Sequence, residues 1–239
     1  MPRLGKFTRV WVGGYALTSY LTNAAMTKPH TEQECSAYEQ DHVYLAGQAD
    51  GSLVVDGWFA ATAHTALATI ATGTEKICTV AYGNNVAPVL GDPAVSIAAQ
   101  ELTYTPSPPL GGVIALNATF KPGAVTAKGC ELGKLLADAS FTGDTRTAYI
   151  NNGAQSTAGG AAYLHILGLS PSDTVAVTIE DSATGSGAGT TIGTFTLDGS
   201  AIGAQRIAIA GTIRQYVCAY IDVTGTDVSF PVVINFVRY

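Results

Sequence analysis

Short stretches in which apolar and polar residues alternate, separated by glycine, proline and Asx-rich breaks, recur from one end of the chain to the other. A period of two is the signature of a half-buried strand. Residues 7–12 (FTRVWV) read as a first strand, broken by Gly13-Gly14. Residues 15–38 are polar and irregular and read as a loop. Residues 42–59 carry the clearest signal. Val43 and Leu45 are apolar, Gln48-Ala49-Asp50-Gly51 follows as a turn, and Leu53, Val55 and Gly57-Trp58-Phe59 resume the pattern. An Asp-Gly pair between alternating runs predicts a tight hairpin with a positive φ at Gly51. Residues 61–71 (ATAHTALATIA) are alanine-rich, with Leu67 and Ile70 three apart, and predict a helix stopped near Gly73.

Strands are predicted at 77–82, 94–104 and 113–120. Pro106-Ser107-Pro108-Pro109 is predicted as a stiff loop outside the sheet, since proline lacks the N–H that a ladder needs. Residues 124–140 read as a linker, with a domain boundary near residue 137. Beyond it, 161–167 and 174–180 read as two strands joined across 170–173. Residues 181–189 (DSATGSGAG) read as a flexible loop, and 192–197, 205–209, 215–220 and 228–237 as further strands. A faint echo links 101–104 plus 114–121 to 218–220 plus 232–238, as if each half ended in a strand pair. The fold class is therefore all-β with one short helix. Residues 1–137 form a sandwich or barrel, and 138–239 form a second sandwich of jelly-roll type.

Composition sharpens this picture. The chain has 239 residues, of which 47% are hydrophobic, enough for a substantial core. Only 13% are charged, about half the usual share of ~25%. Such a surface is either covered by Thr, Ser, Asn and Gly or buried against other subunits. The net charge of −6 is spread over both halves without a basic stripe, which argues against nucleic-acid affinity through phosphate neutralisation. No secretory leader is expected, and no membrane-length apolar run is present in the sequence. Cys35, Cys78, Cys130 and Cys218 show no C-x-x-C or zinc-ligand spacing and lie in apolar contexts, so buried free thiols are expected.

No catalytic signature emerges. His30, His42, His64 and His165 show no metal-ligand spacing, and nucleophile-elbow, P-loop and dinucleotide motifs are absent. Residues 185–189 (GSGAG) lack the following helix that would complete a phosphate cradle. Glu180-Asp181 could hold calcium with loop oxygens, but the pair reads better as a solvated turn. Glu32, Glu34, Glu39 and Asp41 could supply paired carboxylates, but few aromatics flank them, and a solvated loop is the favoured reading. No enzyme activity, cofactor or metal is expected.

Two segments carry a family resemblance. Residues 7–21 (FTRVWVGGYALTSYL) are similar to the opening strand of the major tail (tube) proteins of long-tailed, siphovirus-type bacteriophages, with Ala16 where an acidic residue or asparagine is frequent. Residues 44–59 (YLAGQADGSLVVDGWF) resemble that family's hairpin, with Gln48 in a usually apolar place. In the second half, 162–166, 177–182, 203–207 and 211–217 resemble a β module of phage tail proteins. The resemblance implies a virion structural protein without enzyme activity. Its subunits would stack as rings around a channel that first holds the tape-measure protein and then conducts DNA during ejection, without sequence-specific binding. The implied partners are other copies of the chain and other tail proteins, not a membrane. Six copies per ring are favoured, or three if the halves are duplicates. Subunit contacts are expected at Val43, Tyr44, Leu45, Asp50, Gly51, Leu53, Val55, Trp58 and Phe59. The alternative is a capsid-decoration or carbohydrate-binding adhesin module, in which Tyr149, Tyr163, Tyr216 and Tyr220 would form a sugar platform.

Overall fold

The computed structural model describes residues 5–34, 44–68, 75–123, 129–168, 174–225 and 229–239. Its first half contains β1 (Thr8–Val12), β2 (Tyr15–Ala16), β3 (Leu21–Thr27), β4 (His30–Glu34), β5 (Tyr44–Ala49), β6 (Ser52–Trp58), α1 (Ala61–Leu67), β7 (Lys76–Tyr82), β8 (Pro93–Ser107) and β9 (Ala115–Pro122). Then come β10 (Glu131–Phe141), β11 (Thr145–Arg146), β12 (Ile150–Asn151), β13 (Gly160–Ile166), β14 (Thr174–Ser182), β15 (Thr190–Thr194), β16 (Gly203–Ile209), β17 (Tyr216–Thr224) and β18 (Phe230–Arg238). The fold is all-β with one short α-helix, as the alternation predicts.

Two apolar cores form, and period-two alternation decides which residues enter each. In the first half, β1, β7, β8, β9 and β6 contribute every second residue to a common core. Val10, Val12, Cys78, Val80, Val95, Ile97, Leu116, Ala118, Phe120, Leu53 and Val55 point into it, and α1 adds Ala63, Ala66 and Leu67. In the second half, β10, β13, β16 and β18 form one layer and β11, β12, β14, β15 and β17 the other. Leu164, Ile166, Ile234 and Phe236 face Val177, Ile179, Val217 and Ile221 across this sandwich.

β10 joins the halves. Glu131 to Lys134 pair with Ser96 to Pro93 of β8, and from Lys134 onward β10 pairs with β18. One sheet therefore runs β16-β13-β18-β10-β8-β7-β1-β2 through both halves. Its other face is also buried, because the sheet folds back on itself: Ile77, Ala98, Ala161, Tyr163 and Val237 meet in one cluster, and Trp11, Ala81, Ala94, Leu135 and Val233 in another. Strands buried on both faces show unbroken burial, as all seven residues of β13 do.

Several expectations are corrected. The polar stretch 15–38 is not a loop where it is described: it supplies β2, β3 and β4, and Ala24 and Met26 of β3 pack on the first core. Few large apolar residues are needed there, because β3 lies at a sheet edge. Strand β8 continues through Pro106, which pairs with Leu116. Only β9 flanks this part of β8, so the missing N–H faces no partner strand. The described part of the linker, from residue 129, is largely strand, and position 137 falls inside β10. The core side chains nevertheless divide near it, at Cys130 for one core and Leu136 for the other. The strands at 161–167 and 174–180 form as β13 and β14, in different sheets. The echo between halves does not survive either: β8 pairs with β9, whereas β17 and β18 belong to different sheets.

Candidate assembly surfaces

Strands β3, β6, β9 and the outer part of β8 form a four-stranded blade in that order. Its inner face holds Leu53, Val55, Leu116, Ala118 and Phe120, all at most 2% exposed. Its outer face is a polar ladder. Asn23 Nδ2 donates to Asp56 Oδ2 (3.0 Å), Asn117 Nδ2 to Asp56 Oδ1 (2.7 Å), and the Thr27 and Ser52 hydroxyls are 2.7 Å apart. These bonds run across three strands and fix their register. Both lateral edges of the blade lack a neighbouring strand among the described residues: β3 pairs with β6 only, and the part of β8 beyond Gln100 pairs with β9 only. Open edges present unpaired N–H and C=O groups to whatever strand arrives.

A ribbon projects from this blade. β4 pairs with β5, not with the blade, and forms a two-stranded sheet of its own. The register continues: Thr27 lies opposite Ser52 and His30 opposite Ala49, with the Asp50 N–H donating to the Pro29 carbonyl (2.8 Å) across the break. β3–β4 and β5–β6 are thus the arms of one long antiparallel ribbon. The hairpin predicted with Asp50-Gly51 as its turn is not formed, because β5 and β6 run on in one direction. Gly51 is not at positive φ. Its need for glycine is a close approach: a Cβ there would stand 2.7 Å from the Cys130 backbone nitrogen.

The expected contact residues separate into classes. Leu53 and Val55 are core residues at 0% exposure, unavailable to another chain. Gly51 is buried, and Asp50 is exposed with Lys121 Nζ at 3.4 Å. Tyr44 and Leu45 lie on β5 opposite Glu34 and Gln33. Val43 lies outside the described residues. Trp58 and Phe59 are exposed, at 50% and 38%. They sit beside the β8–β9 connection: Trp58 lies opposite Ala115, and the Phe59 N–H donates to the Ile114 carbonyl (2.9 Å). The Phe59, His64 and Tyr104 rings form a tilted row with centroids 5.3 and 5.7 Å apart.

Sequence reasoning missed the apolar character of this end. Leu110 is fully exposed and Val113 is 64% exposed, in a connection that also holds Pro108 and Pro109. The available signal was the absence of any charged residue from Leu102 to Phe120.

Three buried carboxylates hold the fold. Glu131 accepts from Arg206 Nε (2.9 Å) and from the hydroxyls of Tyr163 and Tyr239. Burial alone would raise its carboxyl, but these donors outweigh burial and hold it below the usual range. Glu180 is bound by Arg146 (2.7 and 3.1 Å) and the Gly189 N–H, and Asp181 accepts from the Arg214 N–H (2.8 Å). The pair is therefore not a solvated turn: Glu180 is 6% and Asp181 2% exposed. Of the four tyrosines that might form a sugar platform, Tyr163 is 0% exposed between the halves and cannot contribute. Tyr216 and Tyr220 share the outer face of β17, where Arg146 lies over the Tyr220 ring at 4.9 Å. Glu32 and Glu34 lie on β4, while Glu39 and Asp41 fall outside the described residues, as do Cys35 and His42. Cys78, Cys130 and Cys218 are buried free thiols. No group of three His, Cys, Asp or Glu converges among the described residues, and no helix is long and apolar enough to cross a membrane.

No family model matches the chain, and no curated protein matches it in sequence. Among solved structures it is similar to the SPP1 Dit protein, described as a paradigm of the hub adsorption apparatus in phages infecting Gram-positive bacteria. That likeness has a TM-score of 0.34 at 10% identity, over 97% of this chain and 99% of that one. At this level it defines neither topology nor function.

Proposed function

We propose that this chain is a structural protein of a phage tail, and that it builds the tail tube by self-association into rings. One observation carries this reading: among the described residues, the blade β3-β6-β9-β8 has an unpaired edge on each side. Two different edges on one subunit suit a heterologous, head-to-tail contact, which closes into a ring when the rotation per subunit divides a full turn. Ring closure would satisfy the backbone groups of both edges, the condition that makes β-barrels stable without edges. The sequence resemblance supports the assignment to tail proteins. The outer blade face is polar, and its carboxylate, Asp56, is tied to Asn23 and Asn117, which suits a surface along which DNA slides without adhering. The ribbon β4–β5 reaches outward from the blade and is suited to engage a neighbouring copy. Enzymatic chemistry plays no part in this reading.

Negative-stain microscopy of the full chain at high concentration tests it. Rings or hollow tubes are expected, and averaged top views will give the subunit number, with six favoured. A chain that stays monomeric at every concentration and is missing from purified tails overturns the proposal.

A further inference from the structure

Where β10 passes from β8 to β18, a groove of about 380 Å³ opens at the seam between the two halves. Its base is Val95 of the first core and Phe236 of the second, both buried. Leu132, 67% exposed, and the ring of Tyr82 add apolar surface. Small ligands bind preferentially where two cores meet, and this volume lies near the lower end of the ~300–1,000 Å³ typical of such sites.

The groove is also cationic. Lys134 Nζ donates to the Asn151 carbonyl (2.9 Å), and Arg238 donates to the carbonyls of Ala154 (2.6 Å) and Asn152. Both side chains are therefore tethered to one short segment, 151–154, and both line the groove. Elsewhere Arg9, Lys76, Lys121, Arg146, Arg206 and Arg214 each meet a carboxylate. Lys134 and Arg238 meet none among the described residues, in a chain whose net charge is −6. The Asn152 side chain lines the same groove, and its amide nitrogen is buried without an acceptor. A buried donor left unmet is costly, and an incoming oxygen would satisfy it.

We infer that this groove binds an organic carboxylate with an apolar body, the carboxylate set between Lys134 and Arg238 and the body resting on Val95, Leu132 and Phe236. Charge-assisted hydrogen bonds from two cations suit a carboxylate, and the apolar base rewards a hydrocarbon beside it. Phosphate fits less well. Lys134 and Arg238 already give part of their donors to the 151–154 carbonyls, and the apolar base offers nothing to the further oxygens of a phosphate. A small free acid and the C-terminal residue of a peptide present the same group. The groove reaches β8 at residues 93–95, whereas the open edge of β8 begins beyond Gln100, so binding does not require ring formation.

The test titrates the full chain, carrying isotopically labelled leucine methyls, with phenylbutyrate, phenylbutyramide, acetyl-Gly-Leu with a free C-terminal carboxylate, the same peptide amidated, and inorganic phosphate. At least one of the two acids should shift the Leu132 methyl resonances and saturate with a Kd of about 1 mM or below. Its amide should bind at least about tenfold more weakly. A shift with phenylbutyrate alone gives the site to free acids, and a shift with the peptide gives it to a chain terminus; each supports the carboxylate. Lys134→Gln should weaken binding of the acid by about tenfold. Leu132→Glu, which supplies a carboxylate from the chain itself, should abolish binding without lowering the thermal transition, because Leu132 is largely exposed. Equal binding of acid and amide overturns the proposal, as does undiminished binding to Lys134→Gln. So does tighter binding of phosphate than of either acid, or the lack of a saturable shift with every probe.

Discussion

His165 lies at 0% exposure where the two halves meet, with Nε2 2.8 Å from the Thr79 hydroxyl. Thr79 continues to Ser96 (2.8 Å), and Asn235 Nδ2 donates to Ser96 Oγ (2.7 Å). These hydrogen bonds lie on an otherwise apolar face and fix the alignment of β7, β8, β13 and β18. Burial pushes the imidazole down to about 3, so it stays neutral in the folded chain while the unfolded chain takes up a proton near its ordinary value of ~6.5. The stability this contributes is complete above about pH 6.5 and falls as the pH drops below it. Between pH 8 and pH 5 the loss should be roughly 2 kcal/mol. Chemical denaturation of the wild type and of His165→Gln at both pH values checks this, since the variant should lack that increment. Gly51 makes a second residue-scale case. Its Cβ-free position against Cys130 implies that Gly51→Ala destabilises the monomer itself, by about 1–3 kcal/mol through overpacking. Urea unfolding of the monomer should show it, and an unchanged midpoint would contradict the close approach.

Among the described elements, the ribbon β4–β5 forms a sheet of its own. Its strands hydrogen-bond to each other, and the arms continue into β3 and β6 of the blade. Replacing residues 31–48 by a short Gly-rich turn should therefore leave the melting temperature of the monomer within a few degrees, while removing a projecting contact from every subunit. Circular dichroism would report the first effect and electron microscopy the second. A collapse of the melting temperature would show that the ribbon supports the blade. The contrast with β6 is instructive: β6 is central in the blade and half buried, so its alternation is under packing control. β4 and β5 pair only with each other among the described strands.

The whole molecule is held together by β10. Cutting the chain at residue 137 divides this strand and removes Val233 from the cluster it forms with Leu135 and Trp11. It also separates Glu131 from Arg206, Tyr163 and Tyr239, leaving a carboxylate without its donors on one side and an arginine without its acceptor on the other. Losing one partner of such a buried pair costs about 3–5 kcal/mol. The full chain should unfold in a single cooperative transition by calorimetry. Fragments 1–137 and 138–239, made separately, should each lack a sigmoidal thermal transition. Two independent transitions in the full chain would show that the halves fold separately after all.

The alternation of residues such as Val10/Val12 and Leu53/Val55 was enough to define strands and their buried faces, because burial on one side imposes a period of two on the sequence itself. Alanine-rich composition, which favours helix locally, likewise placed α1. Partner choice was not legible. Asp50-Gly51 has the local chemistry of a hairpin turn, yet β5 pairs backwards with β4 and β6 with β3, because the register is set by long-range hydrogen bonds such as Asn23–Asp56–Asn117. Equally hidden were the passage of β10 from one half to the other and the open edges of the blade. A residue's own side chain records whether it is buried. Which strand lies beside it is decided by backbone groups that every residue carries alike, so only the tertiary structure could determine it.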